Sequence, residues 1–282
     1  MLTATTILQK TPVFNRLFPV DEDRSLEEIN SWPALMIVTS FVWLFVAGLI
    51  GLGMPLIQRF ELGAELYYLA LTAHGAALAF PFAFQLMVGV GLHRSGGCIG
   101  KPISGPLPAL TYICMNVGAA LLTVAILLGF NISFVVMFPL PIVGVETGQW
   151  SMNVLVLGFT GIALVLFMMI YLYPILSLKI YFFGKRRDDL LLDERTLDDP
   201  GMLGMVLATL VLLIMGTPLF IVASYLLFAL YGIIPFDAVA WAAKPVIFQF
   251  AFFTFAHNLM EAMALMVISA VYAILPLYLA DG

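Results

Sequence analysis

Charged residues and cysteines are scarce in this chain of 282 residues. Only 10% of the residues are charged, and 12 Lys and Arg stand against 17 Asp and Glu, so no basic surface for a nucleic-acid partner is expected. The two cysteines, Cys98 in an expected glycine-rich loop and Cys114 in an apolar stretch, form no CxxC or CxxxxH pairing and are interpreted as structural or incidental. Residues 1–32 lack a basic segment followed by a short apolar core, so no cleaved signal peptide is expected.

Hydrophobic residues are abundant instead, at 62% of the chain with a mean hydropathy of +1.06. These values lie outside the range of soluble globular domains and predict a polytopic membrane protein in a lipid bilayer. We expect a cytoplasmic N-terminal segment over residues 1–32 and an all-α transmembrane bundle of six spanning helices over residues 33–282. The apolar runs long enough to cross about 30 Å of hydrocarbon are residues 33–57, 64–92, 107–130, 152–176, 202–234 and 245–279.

The positions of Lys and Arg predict the orientation of the bundle. If the six helices alternate in direction, ten of the twelve basic residues fall on one side, and only Arg59 and Lys244 fall on the other. This asymmetry places the N-terminus in the cytoplasm. The second and sixth helices then run inwards, and His74 and His257 both lie in the outer half of the membrane.

One histidine and one carboxylate, His257 and Glu261, interrupt the apolar stretch 242–279. Their i, i+4 spacing puts both on one helix face, about 6 Å apart along the axis. A purely structural interpretation is a histidine that hydrogen-bonds a neighbouring helix, and a protonated glutamate in a proton path is an alternative for Glu261. A metal site is the sharper interpretation, and a carboxylate beside histidine shifts the preference from copper towards iron. Two ligands are too few, so others must come from another chain or a missing part of this one.

His74 is the second candidate ligand. Small residues follow it at Gly75, Ala76 and Ala77, and they would leave room for a flat macrocycle such as haem beside the backbone. The same small residues also permit plain helix packing. The third histidine, His93, is given no function.

Two stretches resemble subunit I of the haem-copper oxidase superfamily. Residues 66–75, which end in His74-Gly75, resemble that family's second helix, and residues 252–258, with the ending 271–276, resemble its sixth. The resemblance covers most of this chain and about half of the family's subunit. It implies that His74 is an axial ligand of a low-spin haem and that His257 is the first histidine of a non-haem metal.

The residue one turn after His257 separates the branches of the family. Many oxygen reductases have a tyrosine there, whereas nitric oxide reductases have His-x-x-x-Glu, and this chain has Glu261. The match favours nitric oxide reduction, with Glu261 as a catalytic residue and iron ligand, and copper as the alternative metal. Two departures from that branch are Leu265, where a second glutamate is usual, and His257-Asn258, which is more typical of C-type oxidases.

The resemblance also implies partners, because the family's remaining ligands lie on later helices. We expect a second membrane chain to share the low-spin haem and to carry the high-spin haem and the other metal ligands. The electron donor would be a cytochrome, a cupredoxin or a quinol, and the location a prokaryotic cytoplasmic (inner) membrane. The alternatives are oxygen reduction, a non-catalytic structural subunit, and an ion or proton transporter that uses Glu261.

Overall fold

The structure, a computed structural model, describes residues 31–99, 103, 106–130, 151–183 and 200–279. Six helices in these ranges are long and apolar enough to cross a membrane, and no strand occurs in them. The helices are α1 Ser31–Arg59; α2, made of Ala64–Ala77, a π-helical segment Leu78–Phe84 and Gln85–Ile99; α3 Pro106–Leu127; α4, made of Met152–Phe167, a π-helical segment Met168–Leu172 and Tyr173–Phe183; α5 Pro200–Leu230; the short α6 Phe236–Val239; and α7 Pro245–Leu279.

The prediction of an all-α bundle with six spans is confirmed. The predicted cytoplasmic segment, residues 1–32, lies almost wholly outside the described residues. The expected loop around Cys98 is wrong, because α2 continues as a helix to Ile99. Gly96 and Gly97 therefore do not end this helix. Intrinsic helix propensity is a weak predictor, and packing of the preceding turns in the bundle outweighs it here.

Two helices end earlier than the apolar runs suggested. The run 107–130 was expected to be helical throughout, but Gly129 adopts a positive φ of 99° and α3 ends at Leu127. The amide of Gly129 donates to the carbonyl of Ile126 at 2.9 Å, and the amide of Phe130 donates to that of Ala125 at 2.9 Å. This pair of bonds is the Schellman arrangement that closes a helix end.

The end of α5 repeats this arrangement. Gly232 has a φ of 72°, its amide donates to Ala229, and the amide of Ile233 donates to Phe228, each at 2.9 Å. The predicted end at residue 234 therefore came four residues too late. Apolar composition continues past both glycines, and only the backbone conformation at each one stops the helix.

Sequential helices pack in pairs, α1 with α2, α3 with α4 and α5 with α7. The α3–α4 crossing is so close that it depends on glycine. A Cβ at Gly118 would lie 2.7 Å from the carbonyl oxygen of Gly161, and a Cβ at Gly161 would lie 2.6 Å from that of Gly118. Helices in lipid associate largely through close packing of this kind, because the burial of apolar surface between them supplies little driving force.

The interior contains a buried hydroxyl group that ties α4 to α5. Tyr173 is fully buried, and the hydroxyl of Thr209 on α5 lies 3.4 Å from its phenol oxygen. Gly91 on α2 faces the same phenol ring, where a Cβ would overlap the Tyr173 hydroxyl. Methionines fill much of the surrounding core, as packing groups rather than ligands, since their flexible side chains fit irregular gaps. Those in this cluster are Met36, Met87, Met115, Met168, Met169, Met202, Met205 and Met266.

We predict that Gly161→Ala destabilises the bundle. The added methyl group would meet the Gly118 carbonyl and the Leu122 backbone, and overpacking of this kind costs about 1–3 kcal/mol. The matched control is Gly48→Ala on α1, where a Cβ meets no atom within 4 Å. Thermal unfolding of the purified protein in detergent should show a lower Tm for Gly161→Ala and an unchanged or higher Tm for Gly48→Ala. Equal Tm values for the two variants would contradict the close crossing.

Candidate functional site

His74 lies on α2 and is oriented by α1. Its Nδ1 atom lies 2.9 Å from the backbone carbonyl oxygen of Ala47. The imidazole rests against Gly51, where a Cβ would lie 2.8 Å from the ring Cε1 atom. The ring therefore occupies space that any other residue at position 51 would fill.

The residue after His74 leaves open space beside the helix. A Cβ added at Gly75 would meet no atom within 4 Å. The room that small residues near His74 would leave for a flat group stays a prediction. The arrangement fits a haem ligand, because ligating histidines commonly donate their second ring N–H to a backbone carbonyl.

His257 and Glu261 share a face of α7, as their spacing predicts. The Nε2 atom of His257 lies 3.6 Å from the Oε1 atom of Glu261, and their side chains are 79% and 59% exposed. Both therefore point away from the other helices. The distance fits a shared cation, since two bonds of about 2.1 Å allow ligand atoms to lie up to about 4.2 Å apart.

The neighbouring residues add no further ligand to this pair. Asn258 donates its side-chain amide to the carbonyl of Thr254 at 2.7 Å, so its own helix satisfies it. Leu265 is partly buried and offers no oxygen. Within the described part of the chain, no group of three or more His, Cys, Asp and Glu side chains is placed to hold a metal. His74 is therefore not brought to the His257–Glu261 pair.

The outward face of α7 is exposed along most of its length. His257 and Glu261 lie in the middle of this face, with apolar side chains above and below them. We refer to it as the α7 stripe. Its apolar members, between 51% and 78% exposed, are Val246, Phe250, Phe253, Met260, Val267 and Val271.

An apolar cavity of about 460 Å³ lies between α2, α4, α5 and α7. Gly75, next to His74, and Ala256, next to His257, both line it. Thr72 is the polar residue in its wall, and its hydroxyl donates to the carbonyl of Tyr68 at 2.9 Å. The cavity therefore presents almost entirely hydrocarbon to anything inside it.

Sequence reasoning missed both the cavity and the role of Gly51. Glycines at positions 48 and 51, three residues apart, indicate a small-residue face on α1. They do not reveal which glycine meets a histidine, because that depends on how α1 and α2 pack. The sequence gives still less indication of the cavity, because residues from four helices form its wall.

Residues 33–281 match the family described as Cytochrome C and Quinol oxidase polypeptide I. No curated protein matches the chain. The match spans all six transmembrane helices, and the chain therefore belongs to the family of subunit I of the haem-copper oxidases.

Proposed function

We propose that this chain works in a respiratory complex that reduces nitric oxide to nitrous oxide. Its family makes it a membrane subunit of a haem-copper superfamily oxidoreductase, which acts within a multisubunit complex. In the proposal, His74 is an axial ligand of a low-spin haem, and His257 and Glu261 hold a non-haem iron. A second membrane chain supplies the other ligands and the high-spin haem.

The observation that carries this proposal is the approach of His257 to Glu261. The imidazole Nε2 and the carboxylate Oε1 lie 3.6 Å apart on one exposed face. A carboxylate is a hard donor that suits iron better than copper, and mixed histidine and carboxylate ligands are typical of non-haem iron. Copper remains the alternative metal.

The α7 stripe supports a second chain. An ionisable side chain that faces lipid near the centre of a helix costs about 3 kcal/mol on insertion scales. A partner that covers the stripe would remove His257 and Glu261 from lipid and bring further ligands to them. Among the described residues, no third His, Cys, Asp or Glu side chain lies near enough to join the pair.

The reaction takes two molecules of nitric oxide, two electrons and two protons, and gives one nitrous oxide and one water. When bound, haem and iron would pass electrons from the donor and offer open coordination positions for this reduction. His74 holds its Nδ1 against the Ala47 carbonyl, which fixes the ring so that Nε2 is available as a ligand. Glu261 contributes negative charge beside His257. The electron donor is a cytochrome, a cupredoxin or a quinol.

The cavity between α2, α4, α5 and α7 suits an apolar diatomic gas. A small apolar molecule enters an apolar cavity without losing strong hydrogen bonds to water, whereas an ion would lose its hydration. Gly75 and Ala256, which adjoin His74 and His257 in the sequence, line the cavity, whereas the side chain of His257 points away from the other helices. The cavity therefore supports a gas substrate without distinguishing nitric oxide from oxygen.

Oxygen reduction is the second candidate, since the family match does not choose between the gases. It would take four electrons and four protons per oxygen molecule to give two waters.

If the chain is instead a non-catalytic structural subunit, variants of His74 and of His257 should keep full activity. A transporter that uses Glu261 predicts no haem in the pure protein and a Glu261→Gln variant that stops transport.

Glu261→Gln tests the choice of nitric oxide. A neutral amide is a poorer ligand for a hard cation, so bound non-haem iron and nitric oxide turnover should fall together, each by about tenfold or more. The control is Glu65→Gln, which alters an exposed carboxylate at the start of α2. Metal analysis and nitric oxide consumption of the purified complex provide the measurement. Unchanged iron in Glu261→Gln would remove the basis for preferring nitric oxide over oxygen.

His74→Ala tests the haem assignment separately. The variant should lose the low-spin haem absorption bands and keep the non-haem iron, because His74 is not part of the His257–Glu261 pair. The reverse is expected for His257→Ala, with iron lost and the low-spin bands kept. His93→Ala serves as a control on the same helix as His74. Retention of the low-spin bands in His74→Ala would show that another residue binds the haem.

Ala163→Phe tests the cavity as a path for gas. The larger side chain would fill part of the space between α4 and α7, so gas binding to the reduced complex should slow about tenfold at low gas concentration. The rate at saturating gas should change little, because no proposed ligand moves. The control Ala120→Phe lies on an exposed face of α3. Stopped-flow gas binding measures both variants, and equal rates would mean that gas enters elsewhere.

A further inference from the structure

The contact between α1 and the imidazole of His74 has two parts, on successive turns of α1. The carbonyl oxygen of Ala47 lies 2.9 Å from Nδ1. Gly51 comes one turn later, and a Cβ there would lie 2.8 Å from Cε1 and 3.0 Å from Nδ1. The Ala47 carbonyl and the bare backbone of Gly51 thus contact the same edge of the ring.

This contact is specific to one of three nearby glycines. A Cβ at Gly48 or at Gly53 would meet no atom within 4 Å, whereas one at Gly51 would meet three ring atoms of His74. A Cβ that lies less than 3.0 Å from a ring atom is too close, so either the ring or the helix would have to move. The ring sits on a rigid helix and is already hydrogen-bonded, so an added methyl group would force it away from Ala47.

The hydrogen bond decides which ring nitrogen carries the proton. A backbone carbonyl can only accept, so Nδ1 must donate and the neutral ring keeps its lone pair on Nε2. A carbonyl has two lone pairs, so Ala47 can accept both this bond and the amide of its own helix. Donation from Nδ1 makes Nε2 a stronger electron donor to a metal.

We propose that the Ala47 carbonyl and Gly51 form a receptor on α1 that fixes the tautomer and orientation of His74 and so lowers the midpoint potential of the low-spin haem. This inference rests on the proposed function, since it takes His74 as a haem ligand. Gly51 is a positioning residue, because it acts through His74 and not on the haem. A more basic ligand favours ferric haem, and hydrogen bonds to the ligand are one means by which proteins set haem potentials.

The test compares Gly51→Ala, Gly48→Ala and Gly53→Ala in the intact complex. In Gly51→Ala the methyl group displaces the ring and weakens its bond to Ala47. The midpoint potential of the low-spin haem should therefore rise enough to shift its redox equilibrium about tenfold, which is about 59 mV for one electron. The low-spin spectroscopic signature of the ferric haem should change as well, and the two control variants should match the wild type. A wild-type potential and signature in Gly51→Ala would overturn the proposal.

A second measurement needs no variant at position 51 and applies if Gly51→Ala fails to assemble. Redox-difference infrared spectra of the wild-type complex, with histidine labelled at Nδ1, report which ring nitrogen carries the proton. The ring modes that disappear in His74→Ala should belong to an Nδ1-protonated, hydrogen-bonded imidazole. Modes of an Nε2-protonated ring would overturn the proposal.

Failure of this inference is distinguishable from failure of the proposed function. If His74→Ala keeps the low-spin haem, His74 is not its ligand and both fail. If His74→Ala loses the haem while Gly51→Ala keeps the wild-type potential, only the receptor on α1 is wrong.

Discussion

Polar groups inside the hydrocarbon of a membrane must find hydrogen-bond partners within the protein, and this constraint shapes the bundle. Within a helix, the backbone N–H and C=O groups satisfy this constraint by bonding to one another. Several side chains meet it by bonding to their own helix one turn back, as Thr209 does to Met205 at 2.7 Å and Asn258 to Thr254 at 2.7 Å. His257 and Glu261 do not follow this rule, since they contact each other and face outwards. The outward face of α7 therefore carries two exposed ionisable side chains.

Glycines set the closest approaches between helices, with a different consequence at each place. At Gly118 and Gly161 the two backbones touch, which holds α3 against α4. At Gly91 the missing side chain admits the phenol of Tyr173 into the core. At Gly51 it admits the imidazole of a candidate ligand, so the same small-residue packing that stabilises membrane helices also positions a chemical group.

The family and the site contribute different information. The match over residues 33–281 establishes a membrane subunit of a haem-copper superfamily oxidoreductase. It leaves the gas undecided, because one scaffold serves several reactions. Glu261 beside His257 is the feature of this chain that bears on the branch, through the hardness of its oxygen. The two candidate sites are separate on the described residues, one turned to α1 and the other away from the bundle.

The sequence by itself determined the six helices and the pairing of His257 with Glu261. Both follow from local rules, the length of an apolar run and the i, i+4 geometry of one helix. It misjudged the ends at Gly129 and Gly232, where a positive φ rather than a change of composition stops the helix. Only the tertiary structure decided which face of α7 points outwards and that Gly51 lies against His74. These contacts join residues far apart in the chain, and they depend on how helices rotate and pack against one another, which no local pattern specifies.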